Sequence, residues 1–81
     1  QKLSYAEQKE REKMIRRAQK KVKDCEEQIA SLEGEIASLE EKMSSGEFDA
    51  DIYASHSAAQ KKLDNAMSLW ELASMELEEL K

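Results

Sequence analysis

The chain has 81 residues, of which 40% are hydrophobic and 38% charged, with two glycines, no proline and a net charge of −5. This composition is typical of long helices and excludes an all-β fold, which needs turn residues. It also excludes a disulfide scaffold, because Cys25 is the only cysteine, and a phosphate-binding loop, because Gly34 and Gly46 stand alone.

Cell location is indicated only indirectly by the sequence. No run of 18 apolar residues occurs, so we expect no membrane span and no membrane partner. A single unpaired cysteine fits a reducing compartment, which favours a cytoplasmic protein. The chain starts with Gln1 rather than Met, so we expect it to be a piece of a longer protein.

Charge is divided unevenly along the chain. Residues 1–23 carry nine basic and three acidic side chains, a net charge of +6. Residues 24–81 carry four basic and fifteen acidic side chains, a net charge of −11. Such a division indicates a basic surface at one end of the molecule.

The first predicted element is a long helix that starts at a capping box. The Ser4 hydroxyl is placed to accept from the Glu7 amide, while the Glu7 carboxylate reaches back toward Ser4. Apolar residues then recur in alternating steps of three and four, which defines a heptad seam. Gly46 suits the left-handed position that ends such a helix. The seam of helix one consists of Ile15, Ala18, Val22, Cys25, Ile29, Leu32, Ile36, Leu39 and Met43.

The second predicted element is a helix capped by either Asp49 or Asp51. Its link to the first helix is short, and a short link makes the two helices antiparallel neighbours. We therefore predict an all-α antiparallel two-helix coiled-coil hairpin, with helices at about 4–44 and 50–80. Residues 15–81 would form the hairpin and residues 1–14 a helical lead from an upstream domain. The seam of helix two consists of Ile52, His56, Ala59, Leu63, Ala66, Trp70, Ala73, Leu77 and Leu80.

Pairing the two seams end to end tests this prediction. Met43 would face Ile52, Leu32 would face Leu63, and each remaining layer follows from the same register. Several large side chains then meet alanines, a size match that close packing requires. The flanking charges agree, with Lys21 across from Glu76, Glu35 from Lys62, and Glu12 from Lys81. A parallel dimer of helix one alone would leave the second seam unpaired, so we favour the hairpin.

Three single residues have plain structural interpretations. In this register Cys25 faces Trp70, so we expect both side chains to be buried packing residues rather than a redox or base-stacking site. His56 lacks a neighbouring His or Cys, so we expect a half-exposed seam residue and no metal site. The carboxylates lack a pocket, so we expect no catalytic residues and no small-molecule ligand in this chain.

A row of basic side chains on helix one is the main candidate site. These residues occupy heptad positions b, c and f, which point away from the seam, and they span about 21 Å at 1.5 Å per residue. Such a row can contact several phosphates of DNA or RNA without reading base sequence. The alternative is a solvated face with Glu10 and Asp24 as local partners. This basic stripe consists of Lys9, Lys13, Arg16, Arg17, Lys20 and Lys23.

A second candidate site is apolar and lies on helix two. Leu69, Leu72 and Met75 recur every three residues outside the seam, and Leu72 and Met75 occupy positions that should face water. They predict a protein-interaction surface, although Leu69, like Met67, also has the simpler interpretation of a residue that flanks the core.

Three short segments resemble the C-terminal domain of ABC-F ATPases of the Uup type. They are the opening KLSYAEQKE at residues 2–10, the turn FDAD at residues 48–51, and WEL at residues 70–72. The resemblance implies a cytosolic member of the ABC transporter superfamily without membrane domains. Its two upstream cassettes would bind ATP and magnesium and hold every catalytic residue, so this chain would contain no cofactor site.

The resemblance also implies a function for the hairpin. The domain would contact nucleic acid, either DNA or ribosomal RNA, through the basic stripe, and it would work near the ribosome or the parent's own ATPase domains. The alternative is a protein-interaction or spacer hairpin that docks through Leu72 and Met75. An unrelated RNA-binding hairpin, such as a synthetase arm, shares the geometry but lacks the opening motif.

Overall fold

A computed structural model of the chain describes residues 4–47 and 49–81. Within them, helix α1 spans Tyr5–Ser44 and helix α2 spans Ala50–Leu80, and the two helices pack against each other as a hairpin. The molecule is a rod of 64 × 14 × 14 Å. The predicted all-α fold and its helix bounds are confirmed.

Both helices start at the side-chain caps that the sequence predicts. The Ser4 hydroxyl accepts from the Glu7 amide at 3.2 Å and donates to the Glu7 carboxylate at 3.0 Å. For α2 the choice between the two aspartates is resolved, because the Asp49 carboxylate accepts from the Ile52 amide at 3.0 Å. Each cap satisfies a backbone N–H that the first turn leaves without a partner. Phe48, part of the predicted turn motif, lies outside the described residues.

The seam of helix one agrees with the structure residue by residue. Within α1, the nine predicted seam residues are those that are buried or half-buried, and every other described residue of the helix is exposed. On α2, eight of the nine predicted residues are likewise buried or half-buried. The exception is Trp70, and half-buried Ser74 is an addition that the heptad pattern does not predict.

The centre of the core follows the predicted register. Its buried cluster contains Leu32, Ile36, Ala59, Leu63 and Ala66, with the partly buried Ile29 packed against it, and these are the residues of three successive predicted layers. Polar contacts between the helices join residues that lie at the same level in the predicted register. Lys21 Nζ lies 3.7 Å from Glu76 Oε2, and His56 Nε2 lies 3.2 Å from Glu40 Oε2. Burial of apolar side chains against small partners therefore holds the hairpin in one register.

Two other predicted charge pairs are wrong. Lys81 lies 3.9 Å from Glu78 near the end of α2, and Glu12 pairs with Arg16 at 3.7 Å instead of with Lys81. Glu35 and Lys62 form no ion pair in the described part of the chain. Exposed pairs of this kind contribute little energy, so neighbouring residues on one helix compete successfully with a partner across the hairpin.

The two glycines allow a matched test of the turn. Gly46 has φ of 93°, a left-handed conformation that a side chain opposes, whereas Gly34 lies within α1 with open space around its Cα. We expect Gly46→Ala to destabilise the hairpin by about 1 kcal/mol and Gly34→Ala to stabilise it by about 0.8 kcal/mol. Urea unfolding followed by circular dichroism measures both. A loss of stability in both variants would contradict the helical position of Gly34.

Candidate nucleic-acid interface

The six residues of the basic stripe lie on one continuous helix. All six are exposed, and the helix that carries them is uninterrupted from Tyr5 to Ser44. Because their heptad positions point away from α2, none of them has to leave a packing contact to reach a ligand. The basic stripe is therefore accessible to a ligand along its whole length.

Two members of the stripe have acidic neighbours. Lys20 Nζ donates to Asp24 Oδ2 at 3.1 Å, and Arg16 lies 3.7 Å from Glu12. Both pairs are one turn apart on a helix surface and well exposed, so each contributes only about 0.3–0.5 kcal/mol. Of the two acids expected as local partners, Asp24 therefore pairs, whereas Glu10 makes no ion pair within the described ranges.

The other four members of the stripe have no acidic partner among the described residues. These are Lys9, Lys13, Arg17 and Lys23. Lys9 Nζ instead lies 5.7 Å from the centre of the Tyr5 ring, within the range of a cation–π contact, which leaves its charge intact. The stripe thus keeps most of its positive charge in the folded hairpin.

A shallow depression lies at the N-terminal end of the stripe. It brings an aromatic ring and three cations to the same surface, with one acid beside them. A phosphate and a neighbouring sugar or base could both find contacts there. Its lining residues are Tyr5, Ala6, Lys9, Glu10, Lys13 and Arg16.

The predicted protein-interaction residues are exposed and follow one another around α2. Leu69, Leu72 and Met75 are all largely accessible to solvent. Residues three apart on a helix are displaced by about 60°, so the three form a strip that winds across its outer surface. Leu69 starts the strip beside Lys21 and the half-buried Cys25, and Met75 ends it beside Trp70.

The prediction that Trp70 is buried against Cys25 is wrong. Its side chain is 37% exposed, and its Nε1 donates to Glu26 Oε2 at 3.1 Å. An indole N–H needs an acceptor, and the apolar seam offers none. The ring therefore turns outward, where a carboxylate of α1 accepts its hydrogen bond.

Glycine positions and clusters of metal-ligating side chains are the features relevant to the ATP and magnesium that the family resemblance implies for a parent protein. Gly34 is helical and Gly46 forms the turn, so neither belongs to a phosphate-binding loop. Residues 4–47 and 49–81 contain no cluster of three His, Cys, Asp or Glu side chains that could hold a metal ion. No described helix is long and apolar enough to cross a membrane.

Fold and surface together define an antiparallel coiled-coil hairpin with a cationic stripe on its longer helix. No family model, curated protein or solved structure matches the chain. Interpretation of its function therefore depends on the residues themselves.

Proposed function

We propose that this hairpin is a nucleic-acid-binding arm that contacts DNA or ribosomal RNA through the basic stripe. The observation that carries the proposal is the row of six exposed cations along one helix face, four of which have no acidic partner among the described residues. The sequence resemblance to ABC-F ATPases of the Uup type supports placing the arm in a cytoplasmic ATPase whose cassettes lie outside this chain.

The proposed mechanism is electrostatic attachment. Duplex DNA carries one negative charge for about every 1.7 Å of its axis, so a stripe of about 21 Å would contact several phosphates at once. Long Lys and Arg side chains on a straight helix can follow this row without a change in the protein's fold. Contacts of this type fix position but do not select a base sequence.

The acidic remainder of the molecule would orient this attachment. Residues 24–81 carry a net charge of −11, and they include the turn and all of α2. Phosphates would repel these parts of the rod while they attract its basic end. The arm would therefore approach nucleic acid with the outer face of α1, and α2 would remain turned away.

A fluorescence anisotropy titration tests the proposal. The chain is titrated against labelled duplex DNA, single-stranded DNA and a structured RNA, each at 50 and 200 mM salt. If about four phosphates are neutralised, affinity should fall roughly 100-fold between these two salt concentrations. The ligand bound most tightly then identifies the class of partner. Absence of binding at 50 mM salt, with the helical circular dichroism spectrum intact, would contradict the proposal.

A second candidate function is protein interaction or spacing through Leu72 and Met75. The observation that favours it is that the side chain of Leu72 is 62% exposed at a position where a polar residue would be expected. Partners in this case would be the parent's ATPase domains or a ribosomal protein. Loss of association on Leu72→Asp, with nucleic-acid binding unchanged, would support this alternative.

A further inference from the structure

An apolar groove runs between the helices on one side of the rod, away from Leu72. It is lined by residues of both helices, and its largest side chain is the half-exposed Trp70. A second depression lies on the other side of the same indole and includes Met75. The two depressions share Trp70 and Glu71 as lining residues. The apolar residues of the first groove are Ile29, Ala30, Met67 and Trp70.

Acidic side chains line both depressions. Glu26, Glu33 and Glu71 line the first groove, and no basic residue contributes to it. Glu78 and Glu79 line the second depression in the same way. An apolar surface with several carboxylates and no basic residue among its lining side chains complements a ligand that is both apolar and positively charged.

The side chains of the groove suit an adaptable docking surface. Met67 is 43% exposed and has a flexible, polarizable side chain that can adjust to differently shaped apolar partners. The hydrogen bond from Trp70 to Glu26 holds the indole at the groove while part of its ring remains exposed. Aromatic side chains held in this way are typical of residues that contribute most of the binding energy at interfaces.

Charge also distinguishes among possible occupants. Nucleic acid is excluded from this surface because the carboxylates would repel phosphates. A symmetric dimer through this surface would place one acidic border against an identical one, since a twofold interface pairs the same patch on both copies. Charge complementarity points instead to a cationic amphipathic helix, which places an apolar face in a groove and basic side chains along its border.

We propose that the groove around Trp70 binds a cationic amphipathic helix of a partner protein. Apolar side chains of that helix would pack on Met67 and Trp70, and its Lys or Arg side chains would pair with Glu33 and Glu71. This surface shares no residue with the basic stripe, so the proposal does not depend on nucleic-acid binding. One hairpin could hold a nucleic acid and a protein at the same time.

The proposal is tested with a synthetic 18-residue peptide of Leu and Lys at helical amphipathic spacing. Trp70 is the only tryptophan in the chain and the peptide contains none, so tryptophan emission reports directly on the groove. We expect a saturable blue shift of the emission. A peptide of identical composition in scrambled order should bind at least tenfold more weakly, because it cannot present one apolar face.

Charge reversal provides the matched control. Glu33→Lys with Glu71→Lys should weaken peptide binding at least tenfold. Glu41→Lys with Glu47→Lys changes the net charge equally on exposed residues away from the groove and should alter binding less than twofold. All four positions are exposed, so helical circular dichroism should remain unchanged in both variants.

Three results would overturn the proposal. The first is equal binding of the ordered and scrambled peptides, which would indicate attraction by net charge alone. The second is equal weakening by both pairs of charge reversals. The third is a blue-shifted emission without peptide that depends on protein concentration, together with dimers in sedimentation velocity, which would identify a second copy as the occupant.

Discussion

Reversal of the two central arginines, Arg16→Glu with Arg17→Glu, is expected to weaken binding to duplex DNA by roughly 100-fold at 50 mM salt. Both residues lie near the middle of the basic stripe, so the change divides it into two shorter groups of cations. Fewer phosphates can then be neutralised together, and the dependence of affinity on salt should become shallower by about two units. Anisotropy titration over a series of salt concentrations measures both quantities.

A control of equal charge change lies on α2. Lys61→Glu with Lys62→Glu alters the net charge by the same amount, and both lysines are exposed and outside the stripe. We expect this variant to bind DNA nearly as well as the unsubstituted 81-residue chain. Equal loss in the two variants would mean that overall charge, rather than the stripe, determines binding.

A conservative change distinguishes attraction to phosphate from specific recognition. Arg16→Lys with Arg17→Lys keeps the charge but removes the planar guanidinium groups that bind two acceptors at once. Because the proposed contacts are electrostatic, affinity should change less than threefold. A loss as large as that of the Glu variant would show that the two guanidinium groups make geometrically defined contacts.

The sequence was sufficient to predict the helices, the cap of α1 and the register, and it left Asp49 and Asp51 as two candidates for the cap of α2. These features depend on strong local rules: hydroxyl and carboxylate caps at Ser4 and Asp49, a glycine with positive φ at position 46, and an unbroken alternation of apolar residues. Size matching across the layers then determined how the helices align. The central cluster of Leu32, Ile36 and Leu63 lies where that alignment places it.

The position of Trp70 could not be predicted from the heptad pattern. That pattern treats every seam position as inward-facing, and it does not consider whether an indole N–H finds an acceptor there. Glu26 provides one at the edge of the seam, so the ring turns outward and exposes the groove. Two features in the sequence point to this groove: Met67 flanks the same seam, and α2 is apolar on nearly every side between residues 66 and 75.

The ion-pair partners of exposed charged side chains also could not be predicted from the sequence. Arg16 has Glu12 as a neighbour on its own helix, and Lys81 has Glu78. Alternatives of this kind differ by only a few tenths of a kcal/mol, so spacing alone does not select among them. The exposure of the six cations depends on the helix alone, whereas their local ion pairs were predicted only in part.

The largest effect on stability is expected from Leu63→Ala. Leu63 is 7% exposed and packs in the central cluster with Leu32, in a layer where both helices contribute a large side chain. Removal of its buried methyl and methylene groups should cost about 2–4 kcal/mol. A small two-helix domain rarely has more than about 3–5 kcal/mol of stability, so the variant should be largely unfolded near 37 °C.

The same substitution at Leu72 is the control for this prediction. Leu72 lies nine residues further along the same helix, and Leu72→Ala should change the free energy of unfolding by less than about 0.5 kcal/mol. Thermal melts followed by circular dichroism compare the two variants with the unsubstituted chain. If Leu72→Ala destabilised the hairpin as much as Leu63→Ala, the outer face of α2 would have to be covered in solution. Concentration-dependent melting would then identify that cover as a second copy, because association stabilises the folded state by mass action.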